Sequence, residues 1–261
     1  MFLRHGITKL RLKPQYRVGG LIIENHVNFP RISLSTSRCL ASDSKQGPPN
    51  EDLVDLESPS SNHHDLKSFL SYTQRSGLDE KSTVYVGTHY EYTVAAKLAR
   101  YGFSLRRVGG SFDAGTDLFG AWKPPTTASP PPPRPPPTLK VLIQCKASAA
   151  RSKPQLIREL EGAFVGAPPG WRGEDTMALL VTDKPATKGT RDALGRSRWP
   201  MGYVCCSREG AVLQMIWNRR AEEIGLEGFG AAARYVGAAG EEAELVLTRH
   251  GEPLPLLDEV D

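Results

Sequence analysis

The chain has 261 residues, 39% hydrophobic and 24% charged, with four cysteines and a formal net charge of +4. That length accommodates one full domain with tails, and the absence of any run of roughly 18 uncharged apolar residues argues against a membrane-spanning helix. Cys39, Cys145, Cys205 and Cys206 form no C-x-x-C pair and two are adjacent, which argues against a zinc site or a disulfide framework.

The charge is unevenly spread: +6 over residues 1–40, −5 over 41–80, +9 over 81–236 and −6 over 237–261. A basic core between acidic flanks suits a nucleic-acid partner, because clustered Lys and Arg replace counterions condensed on phosphates. A solvated surface accounts for the same numbers. The first 40 residues are acid-poor and rich in Arg and Ser, the composition of an organelle transit peptide. Arg38-Cys39-Leu40 before Ala41-Ser42 resembles a mitochondrial processing site with cleavage after Leu40, and the expected compartment is the mitochondrial matrix. The competing reading is a basic arm that stays attached and binds nucleic acid. Residues 41–80 are rich in Ser, Asp, Glu, Pro and Asn and read as an acidic disordered linker, with one short helix at Leu66–Tyr72.

From Val84 the pattern becomes that of a folded domain, expected over 81–236. Thr88 is placed to cap a helix whose apolar positions Val94, Ala95, Leu98 and Tyr101 follow helical spacing. Leu105–Val108 reads as a short strand, the Gly/Asp-rich segment after it as a turn, and Asp117–Trp122 as the second strand. Residues 124–137 contain nine prolines in fourteen positions, an inserted exposed loop in extended geometry. Cutting it out brings Trp122 next to Leu139.

Leu139–Ala147 is the clearest strand, with Leu139, Val141, Ile143 and Cys145 on one face and Lys140, Leu142, Gln144 and Lys146 on the other. Ser152 and Pro154 open a helix with Leu156, Leu160 and Phe164 on its buried side. Met177–Val181 reads as a buried strand, Lys188–Leu194 as a helix, Tyr203–Cys206 and Val212–Trp217 as strands, and Ala221 onward as a last helix, followed by an acidic tail over 237–261. Helices alternating with strands after an initial hairpin predict an α/β fold with a mixed central sheet flanked by helices.

The residues that carry chemistry are Asp117 at a turn, Gln144 and Lys146 on one face of a strand end, and Glu91 on the preceding helix. Metal-assisted phosphodiester cleavage needs oxygen ligands around Mg²⁺, or Mn²⁺, at about 2.0–2.1 Å, together with a group that steadies the charge on the phosphate. Asp117, Gln144 and Glu91 are the candidate ligands and Lys146 the candidate catalytic cation. Each also has a structural use. Thr88-His89-Tyr90-Glu91 has capping-box spacing, Asp113 and Asp117 sit among glycines as turn residues do, and Lys146 could extend past a strand end into solvent. The glycines at 109, 110 and 115 are no dinucleotide fingerprint because a strand follows them, and no G-K-[S/T] loop or EF-hand spacing occurs. His63-His64 falls in the linker, and His89 reads as a helix-terminus residue.

The order Glu91, Gly109-Gly110-Ser111-Phe112-Asp113-Ala114-Gly115-Thr116-Asp117-Leu118, then Val141-Leu142-Ile143-Gln144-Cys145-Lys146 resembles the Mrr-like branch of the PD-(D/E)xK restriction-endonuclease superfamily over roughly residues 84–217. Within it the chain resembles the fungal mitochondrial "required for respiratory growth protein seven" family, including the Val181-Thr182-Asp183 strand end. The resemblance implies a restriction-endonuclease-like core with Asp117, Gln144 and Lys146 at the metal-binding and catalytic positions. Glutamine stands where an acid is usual, as in Mrr-like enzymes, and a neutral ligand supplies one negative charge less. The expected function is metal-dependent hydrolysis of DNA in mitochondrial genome maintenance and respiratory growth. The alternative is a catalytically inactive nucleic-acid-binding or assembly protein of the same fold. Nothing in the sequence names a protein partner or separates DNA from RNA.

Overall fold

The computed structural model describes residues 62–108, 115–126, 138–147, 151–173, 175–236 and 242–258. The expected transit peptide, most of the linker, Asp113 with its turn, residues 127–137 of the proline-rich loop and the last three residues lie outside them.

The first helix, α1 (Leu66–Ser76), starts where Asp65 accepts from the Ser68 N–H at 2.7 Å while the Ser68 hydroxyl accepts from the Asp65 N–H. This reciprocal cap satisfies donors at the helix start that have no intrahelical partner. The helix runs four residues past the expected Tyr72. His63, expected in the linker, is buried, its ring nitrogen 2.7 Å from the Tyr92 hydroxyl and its ring against Phe69 and Tyr72. Four aromatic rings therefore order the end of a segment whose composition alone reads as disordered.

The second helix, α2 (Thr83–Ala99), corrects the expected start at Thr88. Ser82 is the cap, its hydroxyl accepting from the Tyr85 N–H at 3.2 Å, so the helix begins six residues earlier. Thr88 and His89 are consequently helix-interior residues. Thr88 is buried, and the capping-box role is removed from Glu91.

Six strands form the main sheet in chain order: β1 (Phe103–Arg107), β2 (Leu118–Trp122), β3 (Leu139–Lys146), β4 (Thr176–Thr182), β5 (Met201–Cys206) and β6 (Val212–Trp217). The pairs β1–β2, β2–β3 and β5–β6 are antiparallel, and β3–β4 and β4–β5 are parallel. The two parallel steps are crossed by α3 (Pro154–Gly166) and α4 (Lys188–Arg196), as parallel pairing demands. Trp122 pairs with Leu139 across the proline-rich insertion, as the sequence predicts.

Alternation along the strands divides the core in two. Val141, Ile143, Met177, Leu179, Val181 and Val204 pack on the α2 side. Leu142, Ala178, Leu180, Tyr203 and Cys205 pack against Ile157, Leu160 and Phe164 of α3 and Leu194 of α4. Every residue of β4 and β5 is buried, as parallel strands covered on both faces require. Each large apolar side chain so enclosed contributes about 1.5–3 kcal/mol relative to exposure.

The C-terminal part departs from expectation. Instead of a helix from Ala221 and an acidic tail, Arg219–Ala221 makes one short helical turn (α5) that continues as a π turn over Glu222–Leu226. Gly225 at φ +138° and Gly228 at φ +78° then break the helix. A second, three-stranded antiparallel sheet follows: β7 (Phe229–Val236), β8 (Glu242–Arg249) and β9 (Glu252–Pro253). The boundary expected at 236 thus falls inside a hairpin. Its Leu245 and Leu247, with Leu254 beyond it, belong to the α2-side core, whereas Glu242, Glu244 and Glu252 gave the segment the look of a tail.

Candidate functional site

Asp117 lies one residue before β2, between two strands. Its N–H donates to the Ile143 carbonyl at 2.9 Å and its carbonyl accepts from the Val108 N–H at 2.9 Å. Its side chain does the third piece of positioning: Oδ2 accepts from the Cys145 backbone N–H at 2.6 Å. That bond ties the carboxylate to the residue standing between Gln144 and Lys146, so the acid and the Gln-x-Lys strand end are held in one register. The turn reading of Asp117 is replaced by this inter-strand role.

Gln144 is buried, and its Oε1 has no hydrogen-bond partner among the described residues. The hydroxyl of Thr116, also buried and adjacent to Asp117, is in the same condition. Unsatisfied buried acceptors are rare and costly, about 1–3 kcal/mol each. Gly115, at φ +84°, makes room for the Gln144 amide: a Cβ there would lie 3.2 Å from Nε2.

Glu91 projects from α2 into the same region, where it is paired with Arg107 at the end of β1 through the guanidinium Nε. The pair is largely buried, with side-chain exposures of 12% and 15%. Arg107 also donates to the Thr88 hydroxyl at 3.3 Å and sits over the Tyr92 ring. The half-buried Cys145 thiol records the electrostatics. Burial pushes its pKa well up, the carboxylates of Asp117 and Glu91 push it further, and Lys146 opposes them. Asp117, Gln144 and Lys146 therefore gather at one end of the sheet, and Glu91 approaches that end from the α2 side, the face that carries Cys145 rather than Gln144 and Lys146.

Lys146, alone of the four, opens onto a cleft at the carboxyl ends of β3 and β4, lined also by Arg151, Lys153, Glu159, Thr182 and Asp183, with Ser152 in its wall. Ligands of open α/β sheets characteristically bind outside the carboxyl ends of the strands. The cleft wall is braced by Ser152, whose carbonyl accepts from the hydroxyls of Thr187 at 3.1 Å and Thr190 at 3.2 Å. Asp183 pairs with Arg208 at 3.0 Å. Arg107, Arg151 and Lys153 are site residues missed from sequence. The doublet Arg106-Arg107 ending a strand was the available signal for the first, and the basic spacing after Lys146 for the others.

The donor set suits a hard divalent cation: one carboxylate oxygen, one orphaned amide oxygen and a neighbouring hydroxyl are the oxygen ligands such ions take, with waters completing the shell. Among the described residues no cluster of three His, Cys, Asp or Glu side chains occurs, so such a site would rest on Asp117, Gln144 and water.

Fold and site together define a mixed-sheet α/β protein with an acid, an amide and a lysine on adjacent strand ends, the lysine opening onto a cleft of mixed charge. The chain belongs to the family described as "Required for respiratory growth protein 7", whose family model matches residues 82–135 and 127–235. An uncharacterized mitochondrial protein of Schizosaccharomyces pombe is 29% identical over 178 residues, covering 67% of this chain and 67% of the relative. The proteins named "Required for respiratory growth protein 7, mitochondrial" from Zygosaccharomyces rouxii and Saccharomyces cerevisiae (strain YJM789) are 26% and 25% identical. They cover 56% and 51% of this chain and 72% and 69% of their own lengths. No solved structure matches the chain significantly. No helix among the described residues is long and apolar enough to cross a membrane.

Proposed function

We propose that this protein is a mitochondrial nuclease that hydrolyses DNA phosphodiesters with a divalent cation, Mg²⁺ or Mn²⁺, on a restriction-endonuclease-like, Mrr-like PD-(D/E)xK core. The observation that carries the reading is the 2.6 Å bond from the Cys145 N–H to Asp117 Oδ2, because it joins the acid to the strand segment bearing Gln144 and Lys146. When bound, the cation supplies charge neutralisation at the scissile phosphate. Asp117 and the orphaned Gln144 Oε1 are the residues that would hold it, with Glu91 auxiliary. The Lys146 ammonium orients the attacking water and stabilises the charge that develops on the phosphate. Arg151 and Lys153 hold phosphates on either side of the reacting one.

The proposed compartment is the matrix and the proposed role is maintenance of the mitochondrial genome. The acid-poor residues 1–40 and the relatives' names support the compartment, and the requirement for respiratory growth in the family's name is consistent with the role. A second reading, a non-catalytic nucleic-acid-binding or assembly protein, draws on one observation: the Glu91 carboxylate is already paired with Arg107.

The test incubates the full chain with supercoiled and single-stranded DNA, with and without Mg²⁺ or Mn²⁺, beside Asp117→Ala and Lys146→Ala. Metal-dependent cleavage that falls by about 10²–10³-fold in each variant supports the nuclease. Salt-sensitive binding without cleavage, unchanged in both variants, selects the second reading. Absence of any DNA binding sinks the nuclease and the DNA-binding form of the second reading, leaving the assembly role.

A further inference from the structure

The end of the main sheet remote from Asp117 carries its own concentration of positive charge. A cleft there is lined by Arg196 and Arg198, between α4 and β5, and by Arg219 and Arg220, after β6, with Glu223 as the one carboxylate of the lining. Glu223 is shared, 3.3 Å from Arg219 and 2.8 Å from Arg220. Arg196 and Arg198 enter none of the ion pairs found among the described residues, and both are exposed. Four guanidiniums thus face a single carboxylate. Arg196 suits the negative end of α4, which accounts for one of the four and leaves three.

The cleft is built rather than incidental. Buried Asn218 clasps the three segments that carry the arginines: its Oδ1 accepts from the N–H groups of Met201 and Ala221, each at 3.1 Å, and its Nδ2 donates to the carbonyls of Leu194 at 3.2 Å and Trp199 at 2.9 Å. One amide thereby fixes the end of α4, the α4–β5 connection and the start of α5.

The two charged ends are also connected. β4 and β5 run parallel, with Met201 beside Ala178, so the start of β5 lies at the opposite end of the sheet from Asp183, about 17 Å away at about 3.3 Å per strand residue. Helix α4 runs along most of that distance: its cap, Thr187, is bonded to Ser152 in the wall of the Lys146 cleft, and it ends at Arg196. Its exposed side carries Arg191 and Lys188, the latter paired with Asp192 at 2.8 Å.

We propose that the Arg196–Arg198–Arg219–Arg220 cleft is a second phosphate-binding site, gripping the nucleic-acid backbone about 17 Å from the Asp117–Lys146 end of the sheet. Guanidinium forks match phosphate oxygens bidentately, and several cations along one face suit the repeating charge of a nucleic-acid backbone. At about 3.4 Å of duplex axis per base pair, the spacing corresponds to about five base pairs. The inference rests on the nucleic-acid reading above and adds a second point of contact to it.

The experiment measures Kd of the full chain for a fluorescent duplex of about 20 base pairs between about 50 and about 200 mM salt. Wild type is compared with R196A/R198A and with K67A/R75A, which removes two charges from exposed α1. Each neutralised phosphate contributes about 0.9 to the slope of log K against log salt. R196A/R198A is therefore expected to lower the slope by up to about 1.8, with K67A/R75A unchanged and an Arg→Lys pair at 196 and 198 retaining most of the slope. Wild-type binding with an unaltered slope in R196A/R198A overturns the second site and leaves the nuclease reading standing. A wild-type chain that binds no DNA overturns both. Capture by anionic phospholipid vesicles, lost in R196A/R198A while the DNA slope stays put, would instead make the cleft a membrane-facing surface and overturn the proposal.

Discussion

At the Asp117 end of the main sheet Asp117 and the Glu91–Arg107 pair are partly buried and bonded within the protein; at the Arg198 end the arginines are exposed, on the end of α4, the α4–β5 connection and α5. Asp117 reaches across one strand to the Cys145 N–H, and Glu91 and Arg107 neutralise each other with little exposure. The arginines at the other end share one carboxylate and owe their placement to Asn218, which carries no charge. The difference is between positioning and affinity. Buried, bonded groups hold atoms to within fractions of an ångström and tolerate no substitution of one partner. Exposed cations contribute binding that is roughly additive, screened by salt and tolerant of exchange between Lys and Arg.

The sharpest way to break this contrast is at Arg107. Arg107→Ala leaves the Glu91 carboxylate buried without its guanidinium, and it should lower unfolding free energy by about 3–5 kcal/mol in urea denaturation. A companion Glu91→Gln should recover part of that loss. A cost near zero would mean that the pair behaves like a surface ion pair and that the two ends are electrostatically alike.

Next in size is Asn218→Ala. It removes four hydrogen bonds from buried backbone groups, and a loss of about 2 kcal/mol is expected. If the clasp serves the cleft, DNA affinity should fall in this variant even at temperatures where it is fully folded, with cleavage per bound molecule unchanged. Loss of cleavage in proportion to Asp117→Ala would erase the proposed division of labour.

The smallest effect is a pH dependence at the Asp117 end. His63 has its pKa lowered from 6.5, first by burial and then by the charge of Arg107. The folded state therefore disfavours its protonated form. Its contribution is fully present above pH 6.5 and is lost as pH falls from there through the lowered folded-state value. Chemical denaturation between about pH 7.5 and 5 should show that decline, and His63→Gln should flatten it. An identical decline in the variant would assign the titration elsewhere.

Strand β3 shows how much of the site was legible. Its strict alternation separates Val141 and Ile143 from Leu142 and Gln144, and both cores observe that division. A period of two survives in sequence because each face meets a different solvent or core. Asp117, Gln144 and Lys146 were legible for a related reason: all sit at the ends of short, strongly patterned strands. The start of α2 was not, since Ser82 and Thr88 are both competent caps and sequence spacing does not say which one tertiary packing will bury.

By itself the sequence determined the elements whose pattern is local: the six main strands, the helices that cross between the parallel ones, the interruption by proline, and the candidate acid, amide and lysine. Only the tertiary structure decided which groups meet. The pairing of Glu91 with Arg107, the burial of His63 against Tyr92, the second sheet from 229 onward and the assembly of four arginines around Asn218 all depend on contacts between distant segments. Charge and burial are properties of that assembled environment, and no run of residues carries them on its own.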